Sequence, residues 1–157
     1  MRIRFSGTAS AIPSAGSGFT SLLVEAGGRL GLVDMGDNPA RAVLEAGADP
    51  ASLAFVALTH RHADHLGAFP ALVASLDCLR RSDALAVVAG PTVAADALHL
   101  LEFFGLLPAG LSFPLRWVGS WSAGDASLEL LDGDHSVPTS MVRIREGSAG
   151  VLYASDA

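Results

Sequence analysis

The sequence predicts a layered α/β domain, and three features of the chain support that prediction. Residues 53–58 form a continuous apolar run of strand length, as expected for a strand that is covered on both faces. Helical patterns follow at residues 67–79 and 92–104, with a short strand between them at residues 84–89. The first third of the chain favours strands, which we predict at residues 2–6, 20–26 and 29–33. Such a mixture buries its apolar faces when helices pack against a sheet.

Turn residues separate these elements from one another. Gly27-Gly28 is a strong two-residue hairpin signal between the second and third strands. A proline in the first turn and a glycine at the end bound a helix at residues 39–47. Residues 7–18 are too rich in Gly, Ser and Pro for regular structure, and they either connect two strands or line a site. After Pro114 the chain returns to strands, which we predict at residues 115–118, 127–131, 140–145 and 151–155.

Length and composition favour one domain without a membrane span. No repeat or linker divides the chain, so we predict a single domain over residues 1–157. The longest apolar stretch, residues 97–115, is interrupted by polar residues and prolines and cannot supply the roughly 20 apolar residues of a spanning helix. The start lacks the apolar core of a signal peptide, and the single cysteine fits a reducing compartment. We therefore expect a cytoplasmic protein, in which Cys78 is a partly buried packing residue.

The charge of the chain argues against a nucleic-acid partner. The net charge is −6, with only 10 Lys and Arg residues. A nucleic-acid binder generally carries a basic stripe, whereas the basic pair in the middle of the chain, Arg80-Arg81, is typical of a solvated helix end. Nucleic acid is therefore the less favoured partner, although it is not excluded, because bound divalent cations would offset part of the acidity.

One short segment carries the chemistry of the sequence. His60-x-His62-x-Asp64-His65 places three imidazoles and a carboxylate directly after the predicted buried strand. Imidazole and carboxylate are ligands that borderline divalent metals prefer. His60 and His62 project to the same side of an extended segment, so both can reach one ion. If the chain turns into a helix after His62, Asp64 and His65 are displaced toward a second ion. The pattern therefore predicts a metal site.

With the following Leu66-Gly67, this segment resembles the signature of the metallo-β-lactamase superfamily. Residues 6–13, Ser-Gly-Thr-Ala-Ser-Ala-Ile-Pro, are similar to the first strand and loop of the branch that contains ribonuclease Z and its phosphodiesterase relatives. Three further segments resemble that branch: Val33-Asp34-Met-Gly36, Asp134-His135-Ser-Val-Pro-Thr139, and Tyr153-Ala-Ser-Asp156, which is similar to the family's Tyr-x-Gly-Asp segment.

The resemblance implies a fold and a set of ligands. The fold would be a metallo-β-lactamase αββα sandwich, incomplete at the carboxy terminus, because the family's last strands, helix and metal histidine have no counterpart before Ala157. Asp34 would support the ligand loop without binding metal itself. The implied ligands are His60, His62 and His135 for the first ion, Asp64 and His65 for the second, and Asp156 between the two.

This ligand set implies hydrolysis with two divalent ions, zinc in the first place and manganese as the alternative. Such an ion lowers the pKa of bound water from 15.7 to about 7, so a metal-bound hydroxide is the expected nucleophile. Asp64 would be the catalytic residue that orients it. The leading hypothesis is a phosphodiesterase that acts on a small molecule. Hydrolysis of another ester, such as a lactone or thioester, and a degenerate, non-catalytic metal-binding domain are the alternatives. A homodimer is left open.

Other polar residues receive structural interpretations. His99 lies in a helical pattern without ligand-like neighbours, so we expect it at the boundary of the core. Asp37 and Asn38 are expected to start the following helix by accepting from its free backbone N–H groups. Thr59 is interpreted as a β-branched residue that ends a strand.

Overall fold

The computed structural model describes residues 1–156 as two packed β-sheets with helices on one side. The first six strands, β1 to β6, span Arg2–Gly7, Ser21–Ala26, Arg29–Val33, Leu53–Leu58, Leu85–Ala89 and Leu115–Val118. The last four, β7 to β10, span Ser120–Ala123, Ala126–Asp132, Ser140–Glu146 and Ala149–Tyr153. The first sheet has the order β1-β2-β3-β4-β5-β6, and the second has the order β10-β9-β8-β7.

The helices begin where prolines and polar residues favour helix starts. The four helices, α1 to α4, span Pro39–Glu45, Ala63–Leu66, Phe69–Cys78 and Pro91–Phe103. Proline occupies the first turn of α1, α3 and α4, where its missing N–H costs no hydrogen bond. Short 3₁₀ turns lie at Pro50–Ser52 and Pro108–Gly110. Within residues 1–156, every helix is too short or too polar to cross a bilayer.

The direction of the strands places their carboxyl ends together. β1, β2 and β3 are antiparallel, whereas β3 to β6 run parallel to one another. The second sheet is antiparallel throughout. In sheets with parallel strands, ligand sites form beyond the carboxyl ends of those strands. Asp34 follows β3 directly, and Thr59-His60 follows β4, so both segments lie at that edge of the first sheet.

Two apolar cores hold the layers together, and β4 contributes to both. Val56 and Leu58 face the core between the helices and the first sheet, while Phe55 and Ala57 face the core between the two sheets. All four side chains are fully buried. A different layer therefore packs on each face of β4. This explains why its sequence is a continuous apolar run, as predicted for a strand that is covered on both faces.

A glycine on the neighbouring strand makes room for the largest of these side chains. A Cβ atom at Gly31 would lie 2.3 Å from the ring of Phe55, so only glycine fits there. The Phe55 ring in turn contacts Trp121 of the second sheet, with ring centroids 4.4 Å apart. This stack of β3, β4 and β7 sets the spacing of the two sheets and thereby positions the loops above them.

The predicted α/β fold class is confirmed, and the helices, the first sheet and the second sheet form three successive layers within residues 1–156. The predicted strands are present with shifts of one or two residues at their ends. β7, Ser120–Ala123, was not predicted, and it pairs with β8. Gly124 at the turn between them has φ +59°, a conformation for which glycine is favoured.

Candidate metal centre

The predicted metal-binding motif begins where β4 ends. Thr59 and His60 follow Leu58 directly, and His62 is the extended residue just before α2, with φ −62° and ψ 147°. Asp64 and His65 then lie in the single turn of α2. The change from extended to helical backbone after His62 is the change that the two-ion interpretation of this motif requires.

Four side chains from three separate segments form the first group of donors. The ligand atoms of His60, His62, His135 and Asp156 all lie within 4.8 Å of one another. His135 Nε2 is 3.2 Å from His62 Nδ1. Two nitrogens that bind one tetrahedral zinc ion at 2.0–2.1 Å lie about 3.3 Å apart. The spacing of this pair therefore suits a shared ion.

His60 is the most deeply buried member of this group. It is 0% exposed, and its Nε2 atom has no hydrogen-bond partner among the described residues. Burial, together with the neighbouring His65, lowers the pKa of His60 to about 4, so the ring is neutral at pH 7. A buried, neutral nitrogen without a partner is costly unless a ligand uses its lone pair. The donor set thus fits a borderline divalent ion.

A second group lies beside the first and shares one carboxylate with it. His65 Nε2 is 3.6 Å from Asp64 Oδ2 and 3.6 Å from Asp156 Oδ1. The other oxygen of Asp156, Oδ2, lies 4.0 Å from Nε2 of both His60 and His135. Asp156 therefore turns one oxygen toward each group of donors.

A buried carboxylate behind these groups orients two of the histidines. Asp34 is 0% exposed and accepts hydrogen bonds from the Thr59 backbone N–H at 2.9 Å and the Thr59 hydroxyl at 2.8 Å. His65 Nδ1 lies 2.8 Å from Asp34 Oδ2, so the Nδ1–H tautomer donates there and leaves Nε2 free. Burial acts to lower the pKa of His65, but the hydrogen bond and charge of Asp34 outweigh it and raise that pKa.

Backbone contacts bring the separate segments to this edge of the sheet. Ser140 N–H donates to Thr59 C=O at 3.0 Å, which places the loop bearing His135 beside the end of β4. Met35 N–H donates to His65 C=O at 2.6 Å, which joins the loop after β3 to α2. A Cβ atom at Gly36 would lie 2.0 Å from Asp64 C=O, so this close approach requires glycine.

The profile of the anti-Pycsar protein Apyc1 family matches residues 1–86 of the chain, more than half of its length. The chain belongs to this family. Ribonuclease Z of Bradyrhizobium diazoefficiens is 35% identical to this Apyc1-family chain over 108 residues, which cover 69% of the chain and 35% of the relative. Ribonuclease Z of Methanopyrus kandleri is 31% identical over 146 residues, 90% of the chain and 49% of the relative. The chain spans between about a third and half of the length of these relatives.

Two solved structures share the fold of this Apyc1-family chain. The metallo-β-lactamase fold protein YhfI of Bacillus subtilis has a TM-score of 0.76 at 22% identity and covers 99% of this chain and 62% of its own. The short form of human tRNase Z has a TM-score of 0.80 at 14% identity, covering 98% and 68% respectively. The resemblance to the metallo-β-lactamase superfamily and to its ribonuclease Z branch is therefore confirmed, as is the fold that it implied.

The structure corrects several sequence-based interpretations of this Apyc1-family chain. Only Asn38 caps α1, through Arg41 N–H, whereas Asp37 accepts from Phe19 N–H at 2.6 Å and holds the loop that precedes β2. Cys78 is exposed at the end of α3 and does not pack in the core.

The basic pair after α3 divides into one solvated and one buried arginine. Arg80 is exposed, as predicted, but Arg81 is only 6% exposed. Its guanidinium donates to three backbone C=O groups, those of Ala51, Asp83 and Ala84, at 2.6–2.9 Å. Arg81 is therefore a structural residue, because a buried guanidinium satisfies carbonyls that are left free where the chain turns.

Sequence reasoning gave too small a role to Thr59 and none to Tyr153 or Ser155. The Thr59 hydroxyl lies 2.9 Å from His60 Nδ1 as well as beside Asp34. Tyr153 donates to Asp34 at 3.3 Å, and burial together with the charge of Asp34 raises the pKa of the tyrosine. The signal for Thr59 was its place directly before the first histidine, whereas Tyr153 and Ser155 reach Asp34 only in the folded chain.

The Gly- and Ser-rich loop at residues 7–18 is held by contacts near its two ends. Ala9 and Phe19 form an isolated bridge, and Thr8 N–H donates to the Ser17 hydroxyl at 3.0 Å. A cavity of about 310 Å³ lies between Gly18, at the end of this loop, and α1, and its lining includes none of the six predicted ligands. The loop thus connects β1 to β2, and a role for it in lining a site stays a prediction.

Proposed function

We propose that this chain carries the binuclear metal centre of a hydrolase that cleaves phosphodiester bonds in a small substrate. The observation that carries the proposal is the position of Asp156. One of its oxygens lies 4.0 Å from two histidines of the first group, and the other lies 3.6 Å from His65 of the second. A carboxylate that faces two sets of nitrogen and oxygen donors is suited to bridge two cations.

The ligands follow from this arrangement. His60, His62 and His135 would hold the first ion, and Asp64 and His65 the second, with Asp156 between them. Neutral imidazole and carboxylate suit zinc best and also accept manganese. The Asp34 carboxylate keeps Nε2 of His65 directed at the second ion, in the manner of the carboxylate partners that usually orient metal-binding histidines.

The chain's own residues would orient the reacting groups. Bound divalent ions lower the pKa of water from 15.7 to about 7 and so supply a nucleophile at neutral pH. Asp64 is 8% exposed and stands 3.6 Å from His65 Nε2 at the margin of the second group. With the ions bound, its carboxylate would accept a hydrogen bond from the attacking water, so Asp64 is the proposed catalytic residue. Neither a Ser-His-Asp nor a Cys-His arrangement is needed for this reaction.

The small size of the substrate is argued from the connection between His135 and Asp156. β9 and β10 occupy most of this interval and are joined by a two-residue turn at residues 147–148. There is no protruding arm for RNA in this part of the described chain. A net charge of −6 also disfavours a long polyanion. The similarity to ribonuclease Z favours a phosphodiester as the bond that is cleaved.

The proposal is tested on the complete chain loaded with zinc or manganese. We expect two ions per chain by mass spectrometry of the metals, and turnover of bis(p-nitrophenyl) phosphate. Asp156→Asn should reduce the metal content to one ion or fewer and abolish turnover, because an amide bridges two cations poorly. Asp125→Asn, which changes an exposed carboxylate in the turn between β7 and β8, is the matched control and should behave as the wild type.

Other outcomes would identify the alternatives. Turnover of p-nitrophenyl acetate, a lactone or a thioester without turnover of the phosphodiester would favour hydrolysis of another ester class. One ion or none, without turnover of either substrate class, would favour a degenerate metal-binding domain.

A further inference from the structure

Ser155, the residue before Asp156, has a backbone conformation that serine rarely adopts. Its φ is +55°, in the left-handed region where glycine is the usual residue. A side chain at such a position is strained, and strain of this kind persists where surrounding contacts compensate for it.

The Ser155 hydroxyl makes such contacts. It lies 3.1 Å from the Thr59 hydroxyl oxygen, 3.4 Å from Asp34 Oδ2 and 3.5 Å from His65 Nδ1. Thr59 and Asp34 form the buried polar network behind the donor groups. The residue next to Asp156 is therefore anchored to the same network that orients His60 and His65.

One assignment of protons accounts for the contacts that the Thr59 hydroxyl makes with Asp34, His60 and Ser155. The ionised Asp34 carboxylate only accepts, so the Thr59 hydroxyl donates to it at 2.8 Å. The two lone pairs of that hydroxyl then accept from His60 Nδ1–H at 2.9 Å and from the Ser155 hydroxyl at 3.1 Å. Nδ1–H on His60 leaves its Nε2 lone pair free for an ion. The Ser155 contact is thus compatible with the tautomer that metal binding needs.

The carboxylate of Asp156 has weaker restraints of its own. Its side chain is 38% exposed, and its oxygens lie 3.6–4.0 Å from the histidine nitrogens, which is beyond normal hydrogen-bond distance. Its direction therefore depends on the backbone from which it projects. That backbone is fixed on its amino-terminal side by the anchored Ser155.

We propose that Ser155 is a positioning residue, whose hydroxyl holds the Asp156 carboxylate between the two groups of donors. This inference rests on the proposed function, because it assumes that Asp156 is a metal ligand. The expected consequence of this anchor is tighter binding of the ions that Asp156 would bridge.

The test compares two substitutions that both remove the hydroxyl. Ser155→Ala keeps the strained conformation, whereas Ser155→Gly relieves it. The complete chain is titrated with Co²⁺, whose visible absorption reports the geometry of its ligands. We expect both variants to bind Co²⁺ about tenfold more weakly, as changes to residues behind metal ligands typically do, and to show an altered spectrum at saturation. Ser148→Ala, in the exposed turn between β9 and β10, should match the wild type.

Each result decides a separate point. A Ser155→Gly variant with the wild-type affinity and spectrum would overturn the positioning role. In that case, any change seen only in Ser155→Ala would result from strain in the backbone at residue 155. If Ser155→Ala fails to fold, as judged by circular dichroism, Ser155→Gly alone decides. A wild-type chain that binds no Co²⁺ would overturn the proposed function itself, and this inference with it.

Discussion

At the scale of single residues, Asp34 connects the segments of the candidate metal centre although it is not itself a predicted ligand. It is a buried, non-glycine residue with φ +55°, a conformation that costs about 1–3 kcal/mol. Three strong hydrogen bonds compensate: two from Thr59 and one from His65. The strained backbone is what turns this carboxylate from the end of β3 toward the end of β4.

Replacement of that carboxylate by an amide should weaken metal binding. Asp34→Asn keeps the size of the side chain but exchanges one acceptor oxygen for an NH₂ donor. The single oxygen that remains cannot accept from both Thr59 and His65. We expect the zinc affinity to fall about 10–100-fold, measured by competition with a chelator. Asp37→Asn is the control, because Asp37 bonds Phe19 and lies outside the donor groups. Equal losses of zinc affinity in both variants would mean that the change in net charge, and not the hydrogen bonds of Asp34, causes the effect.

The two histidines at His62 and His99 should respond differently to substitution. His62 belongs to the first group of donors, whereas His99 is exposed on α4. His62→Ala should therefore lose at least one ion per chain and all phosphodiester turnover, while His99→Ala retains both. Metal content and turnover are measured on the same preparations. If His62→Ala kept two ions, or His99→Ala lost them, the proposed site would be misplaced.

At the scale of elements, Arg81 ties the end of α3 to the segments that precede β4 and β5. Its guanidinium reaches the 3₁₀ turn before β4 at Ala51 and the segment before β5 at Asp83 and Ala84, and it lies over the Phe113 ring at 5.7 Å from the centroid. The end of α3 is thereby fixed to the amino-terminal ends of two parallel strands. This anchor is at the opposite end of those strands from the metal centre.

Loss of this anchor should reduce stability without changing the site. We expect Arg81→Ala to lower the free energy of unfolding by about 2–4 kcal/mol, because it leaves three part-buried carbonyls without their charged donor. Arg80→Ala, at the exposed neighbour, should change it by less than about 0.5 kcal/mol. Urea denaturation measures both. Zinc affinity of the folded Arg81→Ala chain should equal that of the wild type, and a matching loss of affinity would contradict the separation of anchor and site.

The features that could be predicted from the sequence depend on residues close together in the chain, whereas most of those that were missed depend on residues far apart in it. β4 and the segment from His60 to His65 could be predicted, because apolar patterning and ligand spacing are local properties of the chain. The hydrogen bond that Asp37 accepts from Phe19 N–H, the one that Arg81 donates to Ala51 and the contact of Ser155 with Thr59 join residues that are distant in sequence, and no local pattern encodes them.

At the scale of the whole molecule, the donor groups exist only in the folded chain. The end of β4, the loop before β9 and the segment after β10 each supply donors, and only the packing of two sheets brings them together. A ligand that binds the folded state alone stabilises it by mass action. Metal binding and folding of this chain are therefore expected to be coupled.

Metal removal should accordingly lower the melting temperature. At free zinc 100-fold above its dissociation constant, binding contributes about 2.7 kcal/mol, which corresponds to roughly 5–10 °C for a domain of this size. Differential scanning calorimetry with and without a chelator measures the shift. His62→Ala should show a smaller response to the chelator than the wild type. An equal response in the two proteins would mean that the stabilising ion binds elsewhere.

The last prediction is that the loaded chain prefers a small phosphodiester to folded tRNA. Binding of tRNA draws most of its affinity from Lys and Arg residues that neutralise phosphates, and this chain has 10 of them against 16 acidic residues. The hairpin of β9 and β10 fills the interval from His135 to Asp156 and leaves no arm for RNA there.

The test is a competition between pre-tRNA and bis(p-nitrophenyl) phosphate on the metal-loaded complete chain at physiological salt. We expect pre-tRNA to be a poor inhibitor of phosphodiester turnover, and its residual binding to fall steeply with added salt, as non-specific contacts with phosphates do. Asp125→Asn makes the surface less acidic without touching the donor groups, so it separates general repulsion of RNA from exclusion by shape. If that variant gained RNA binding, charge alone would be the barrier. Specific cleavage of pre-tRNA at its 3′ end at low enzyme concentration would overturn the preference for small substrates, because it would require an RNA-binding surface that the described residues do not provide.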